Sequence, residues 1–276
     1  MKFFLTLRLL LLVTVALTPC ADCEIDPSAL GDPHFTTWKG KKFDFHGECD
    51  LVLVSNPEFG HGLGMEIHAR TEIRRSWSFI TAVAIRIGED ILEVHGGVEE
   101  NSYWMNGKFQ GDLSTQRLGG FEVKYKNPPH STQREYRIPL KNHNQEVTVK
   151  TFKDFVRVDY KNPAGKDLQS SVGIFGNFVT GALLARDGVT NIEDANEFGM
   201  EWQVQETEPK LFHDLVAPQH PEQCLMPSTT KRRRLGELLM NEEDARLACS
   251  DVDDAELQSC IYDVLSTGDV DMAQAC

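Results

Sequence analysis

The 276 residues contain no Gly-x-Ser-x-Gly elbow, no His-Glu-x-x-His pair and no glycine loop that cradles phosphate. The usual signatures of serine hydrolases, zinc peptidases and nucleotide-binding enzymes are thereby missing. No Asn-x-Ser/Thr sequon occurs, so N-glycosylation is not expected. No Cys-x-x-Cys is matched by a second Cys or His pair, which argues against a structural zinc site. Positive charge is scarce: 28 Lys and Arg stand against 42 Asp and Glu, for a formal charge of −14. Sequence-independent nucleic-acid binding relies on Lys and Arg neutralising phosphates, so this balance argues against it and suits solubility in an ionic exterior. Beyond the first 21 residues no apolar run approaches the ~20 residues needed to span a membrane, and there is no internal repeat.

What is present begins with a short basic start at Lys2, an apolar run from Leu9 to Leu17 and small residues near Cys20-Ala21. This pattern reads as a secretory signal peptide over residues 1–21, cleaved after Cys20 or Ala21. Its loss would remove Lys2 and Arg8 and move the charge from −14 to −16. The seven cysteines are Cys20, Cys23, Cys49, Cys224, Cys249, Cys260 and Cys276. Without Cys20, six remain, an even number in an oxidising compartment.

From Phe35 to Tyr160 apolar and polar residues alternate with period two between turn signals. Expected strands are 52–54, 65–67, 79–87, 91–94, 121–125, 136–138, 147–152 and 155–160. Asn106-Gly107 is the best two-residue hairpin turn, and Lys153-Asp154 reads as another. Short, evenly spaced strands without intervening helices predict a mainly β fold, an antiparallel β-sandwich over 22–205. Residues 206–234, rich in Pro, His and Gln and closing on Lys231-Arg232-Arg233-Arg234, read as a linker. The basic run has two readings, a solvated linker and a processing site. Residues 235–276 predict a small helical, cysteine-containing unit with segments 235–249, 255–266 and 270–276. It carries eleven acidic side chains against Arg246 alone. Cys249 ends one such helix and Cys260 lies one turn inside the next, an arrangement a helical hairpin can bridge. Asp251 to Tyr262 lacks both the glycine and the final glutamate of an EF-hand. The histidines are scattered: His61 and His68 are expected on opposite strand faces, and His213 and His220 as solvated linker side chains.

Gly31-Asp32-Pro33-His34, then Phe43-Asp44-Phe45-x-Gly47-x-Cys49, Gly173-Ile174-Phe175-Gly176-Asn177-Phe178 and Phe198-Gly199-Met200-Glu201-Trp202 follow one another in this order. Together they resemble the von Willebrand factor type D module of secreted adhesive and gel-forming proteins, from about Gly31 to Val204. The tail is similar to a shortened form of the cysteine-rich helical unit that often follows such a module.

The resemblance implies a secreted, non-catalytic extracellular module for adhesion, matrix or protein assembly, with an extracellular protein or matrix partner, itself included. An alternative is a self-processing module. The Asp32 carboxyl would attack its own peptide carbonyl and form an anhydride, and the Pro33 nitrogen would leave once protonated, with His34 assisting. The plainer reading is that Gly31 and Pro33 shape the first strand and Asp32 caps a turn or binds metal. A calcium-dependent module is also implied, with Asp32 and Asn177 as ligands. The positions where the family offers acidic side chains are here Val179, Thr180, Gly181 and Ala182, leaving Asp187, Glu193 and Asp194 as further donors for an ion that takes six to eight oxygens. The resemblance further implies a Cys49–Cys224 disulfide. The family cysteine at position 175 is Phe175 here, so apolar burial takes the place of a staple. Cys23 and Cys276 are then left over, either for intermolecular linkage or for a bridge between the chain ends.

Overall fold

The computed structural model describes residues 25–274 except 32, 75–76, 98–102, 110–115, 128–132, 141–143, 216–222, 228–239 and 255. The expected signal segment 1–21 and the residues Cys23, Asp32 and Cys276 lie outside the described residues, as does His220.

Alternation in the sequence becomes two antiparallel sheets. In chain order the strands are β1 (Ser28–Leu30), β2 (His34–Thr36), β3 (Lys42–Asp44), β4 (Asp50–Asn56), β5 (Met65–Arg74), β6 (Trp77–Ile87), β7 (Asp90–His95), β8 (Tyr103–Met105) and β9 (Lys108–Phe109). There follow β10 (Arg117–Leu118), β11 (Phe121–Glu122), β12 (Lys124–Lys126), β13 (Arg134–Pro139), β14 (Glu146–Phe152) and β15 (Phe155–Lys161). One sheet runs β12-β13-β14-β15-β1-β2-β3 and the other β4 through β9 in sequence order, with β10-β11 as a small separate hairpin. The N-terminal strand β1 therefore inserts beside β15, pairing Ser28 with Asp159 and Ala29 with Val158.

Between the sheets lies one continuous core. Val147, Val149, Val156, Val158 and Tyr160 enter it from one side, and Val83, Ile85, Leu92 and Val94 from the other. Each such side chain contributes about 1.5–3 kcal/mol relative to exposure. Ile80 and Val83 both point inward although three residues apart. The register shift between Arg70 and Thr71 inserts Thr81 as an extra residue and resets the phase of β6. Asn106 and Gly107, at φ 52° and 70°, form the expected hairpin turn between β8 and β9.

Three expectations change. The segment 121–125 is not one strand: the Val123 amide bonds to the Gln116 carbonyl, and the chain crosses there from the small hairpin to the large sheet. The tail helices are shorter than read. They comprise α2 (Glu242–Ala248), capped by Asn241, α3 (Leu257–Thr267), and a 3-10 turn at Val270–Gln274, following α1 (Ala195–Glu201) in the body. The described parts of 206–234 are not a free linker. Leu211 and Phe212 are buried against Ala82 and Ala84 on the outer face of the second sheet, and Leu225 pairs with Glu48 through both backbone bonds. Two apolar side chains and two hydrogen bonds suffice to dock a polar-looking segment.

The tail forms a second core with the end of the sandwich, where Ala245, Cys249, Cys260, Ile261, Val264 and Met272 pack on Phe79 and Phe152. Arg157 of β15 forks onto Glu256, with both nitrogen–oxygen distances 2.8 Å. Lys153 reaches Asp269 at 2.5 Å.

Candidate functional site

The motif residues converge on one region of the sandwich. Trp38 is buried edge-on against Tyr160, Phe175 and Phe178, with centroids 5.2–5.6 Å apart, and its amide bonds to the Phe175 carbonyl at 3.0 Å. Phe175 is wholly buried. Phe43 packs edge-on against Phe198 of α1 at 5.5 Å. These residues are wall and filling rather than a reactive surface.

Gly31, Pro33 and His34 sit where the tail meets the body. His34 faces Asp44 across the β2–β3 pair, with Nδ1 2.7 Å from Oδ1. Its Nε2 lies 3.3 Å from Oδ1 of Asp263, a fully buried residue of α3. Burial alone would disfavour the imidazolium, but the hydrogen bonds to Asp263 and Asp44 outweigh it and raise the His34 pKa from 6.5 to about 10. Burial would likewise raise the Asp44 carboxyl, and His34 overcomes this and lowers it. Gly31, at φ +54°, leaves no room for a side chain, since a Cβ there would stand 2.6 Å from Asp263 Oδ2. The Pro33 carbonyl accepts the Phe45 amide at 3.3 Å. Thus Gly31 and His34, on either side of the turn expected to carry chemistry, meet Asp263 of α3, and the histidine is held between two carboxylates.

Asn177, Asp187 and Asp194 each hold a local turn or cap. Asn177 Oδ1 accepts both the Thr180 amide and the Thr180 hydroxyl at 2.9 Å. Asp187 accepts from Val189 and Thr190 within its own turn, and Asp194 caps α1 through the amides of Asn196 and Glu197. The stem of Lys39 crowds Gly181, and its ammonium lies 5.2 Å above the Phe178 ring, so a cation already stands beside this loop. Calcium needs six to eight oxygens, and Asp32, the other ligand expected of it, lies outside the described residues.

Cys49 is joined to Cys224 across 175 residues, Cα atoms 4.9 Å apart. Cys249 is joined to Cys260, Cα atoms 6.1 Å apart. The first ties the end of the segment after the body to the entrance of β4. The second closes the α2–α3 corner.

A cluster that the sequence reading passed over lies on the outer face of the second sheet. Leu92 and Val94 point into the core, so Glu93 and His95, one position away, project to the other side. His213 arrives from the docked segment and is exposed, as expected of it, but it is also hydrogen-bonded and stacked. His95 Nε2 is 2.5 Å and His213 Nδ1 2.8 Å from the same oxygen, Glu93 Oε1, while the His213 amide donates to Oε2 at 2.8 Å. Trp104 stacks on His213 with centroids 4.5 Å apart and lies 4.6 Å from His95. Burial would raise the Glu93 carboxyl, and the bonds from His95 and His213 outweigh it and hold the group below its ordinary value. Beside it, Arg70 grips Asp50 through two bonds of 2.8 and 2.9 Å under the Phe212 ring. The legible signal was Glu-x-His on a strand, two ligand-type residues on one face. The third member is distant in sequence and carried none.

The family model described as the von Willebrand factor type D domain matches residues 28–169. That span holds β1 to β15 and stops before the Gly173–Phe178 and Phe198–Trp202 motifs, which nevertheless pack into the same core.

Proposed function

The chain belongs to the von Willebrand factor type D family, and from that premise we propose that it is a secreted, non-catalytic extracellular module that binds or assembles with other proteins, copies of itself included. The observation that supports this most directly is the treatment of the Gly31–His34 turn. Gly31 and His34 meet Asp263 of α3, and Asp44 and Asp263 hold the His34 ring. Two disulfides brace the body and the tail, as suits an oxidising compartment. Among the described residues no helix is long and apolar enough to cross a membrane.

The test is to express the full chain, residues 1–21 included, in a secretory host. Intact mass under non-reducing conditions and light scattering of the medium product then report its state. The expected product is exported, uncut between Asp32 and Pro33, internally disulfide-bonded, and associates with itself or with matrix protein. Retention in the cell with free thiols would overturn the reading. Two fragments divided at Asp32–Pro33 would replace it with self-processing.

A further inference from the structure

We propose that Glu93, His95 and His213 form a binding site for a divalent transition metal of the zinc class, which clasps the segment around His213 to the outer face of the second sheet. Among the described residues these three are the group of His, Cys, Asp or Glu side chains whose ligand atoms all lie within 4.8 Å of one another.

The geometry admits a metal. Two imidazoles direct a nitrogen at one and the same carboxylate oxygen, at 2.5 and 2.8 Å. Around tetrahedral zinc, with ligand bonds of about 2.0–2.2 Å, neighbouring ligand atoms stand about 3.4 Å apart. An ion would therefore enter if each histidine ring backed away by about 1 Å or less. Both imidazoles are partly exposed, their side chains 29 and 31 % accessible, while Glu93 is 2 % exposed. The surroundings are already those of a ligand set. The second Glu93 oxygen is fixed by the His213 amide, leaving Oε1 as a single-oxygen ligand, and supporting bonds of this kind orient metal ligands. Trp104 sets the His213 ring plane by stacking, and Leu211 and Phe212 anchor the approach of the chain.

Two imidazoles and one carboxylate select zinc, copper or nickel rather than calcium or magnesium, which prefer oxygen. Three protein ligands with half-open histidines leave a fourth position for water or for a donor group from another molecule. The site lies on a different element and a different face from Asp32 and Asn177, and it does not depend on the reading under Proposed function.

The experiment is zinc titration calorimetry on the full, disulfide-intact chain in a non-chelating buffer, with Trp104 emission followed in parallel. Wild type is expected to bind one zinc ion and to change its Trp104 signal, a change absent in Trp104→Phe. His95→Gln and His213→Gln should each weaken binding at least ten-fold, and the pair should abolish it. His61→Asn, at an exposed histidine elsewhere, should leave it unchanged. Both histidine substitutions fall on half-exposed positions, and an unchanged circular dichroism spectrum verifies their folding. Zinc binding of equal strength in wild type and the double variant would place the metal elsewhere and overturn the proposal. So would a folded wild type that takes up no zinc.

Discussion

His34 Nε2 lies 3.3 Å from Asp263 Oδ1, although 229 positions separate the two in sequence. One belongs to the first turn of the sandwich and the other to the last helix of the tail, so this pair reports whether the tail is docked. Asp44 faces His34 from β3, Tyr262 packs edge-on to it from α3 at 6.3 Å, and His46 acts on Asp44. The imidazolium donates to both carboxylates.

Tail docking is accordingly expected to loosen as pH rises above neutrality. His34 is raised from 6.5 to about 10 in the folded chain. Its contribution is therefore complete below the unfolded value and is lost as pH rises through the folded one. Asp44 is shifted down from 3.8, so its contribution is present above that value and fades on acidification. Hydrogen exchange of the α3 amides, corrected for intrinsic rates, should show loosening between neutral pH and about pH 10. His34→Gln should flatten this dependence. Equal protection of α3 across that range in wild type would contradict the role given to the pair.

The two disulfides should differ in what their loss does. A bridge spanning 175 residues constrains the unfolded chain by about 5 kcal/mol in the loop-entropy account, and one spanning 11 residues by about 3 kcal/mol. Cys49→Ala with Cys224→Ala should lower the denaturation midpoint of the whole body. Cys249→Ala with Cys260→Ala should leave the body transition nearly in place and expose the tail to proteolysis. Identical shifts from both pairs would show that tail and body unfold as one unit.

How much of this was legible beforehand follows from the range of the interactions. Val147 to Tyr160 read correctly as a hairpin because alternation and the Lys153-Asp154 turn are local. The sandwich was legible for the same reason, and the order of the aromatic and glycine motifs pointed to the family. The pairing of Ala29 with Val158 was not legible, since three residues of β1 carry too little pattern to announce a strand. The docking of Leu211 and Phe212 was hidden in a segment whose average composition is that of a linker, because two buried side chains decide its placement. At the candidate site, Glu93 and His95 were readable as neighbours on one strand face. The approach of His213 depends on a contact across 120 residues that no local rule encodes.

Phe175 is expected to behave as a structural keystone of the motif region. It is fully buried and lies edge-on to Trp38. Phe175→Ala should cost about 3–5 kcal/mol, the usual range for emptying an aromatic position in a core. Chemical denaturation gives the energy, and Trp38 fluorescence should report the cavity locally. A loss under about 1 kcal/mol would mean that Trp38 and Phe178 collapse into the space.

Asn177 should matter to the fold whether or not calcium is present. Its side-chain oxygen closes a turn through two bonds to Thr180, each worth about 1 kcal/mol net. Asn177→Ala is therefore expected to destabilise the chain by about 1–2 kcal/mol in chelator. Millimolar calcium is expected to raise the thermal midpoint of wild type little, because Asp187 and Asp194 are engaged in their own turn and cap and the Lys39 ammonium stands over Phe178 beside this loop. The comparison of the two proteins, each with chelator and with calcium, separates a turn-closing residue from a metal ligand. A large calcium-induced stabilisation in wild type that disappears in Asn177→Ala would show that the loop rearranges around the ion and that the turn described here is only its metal-free form.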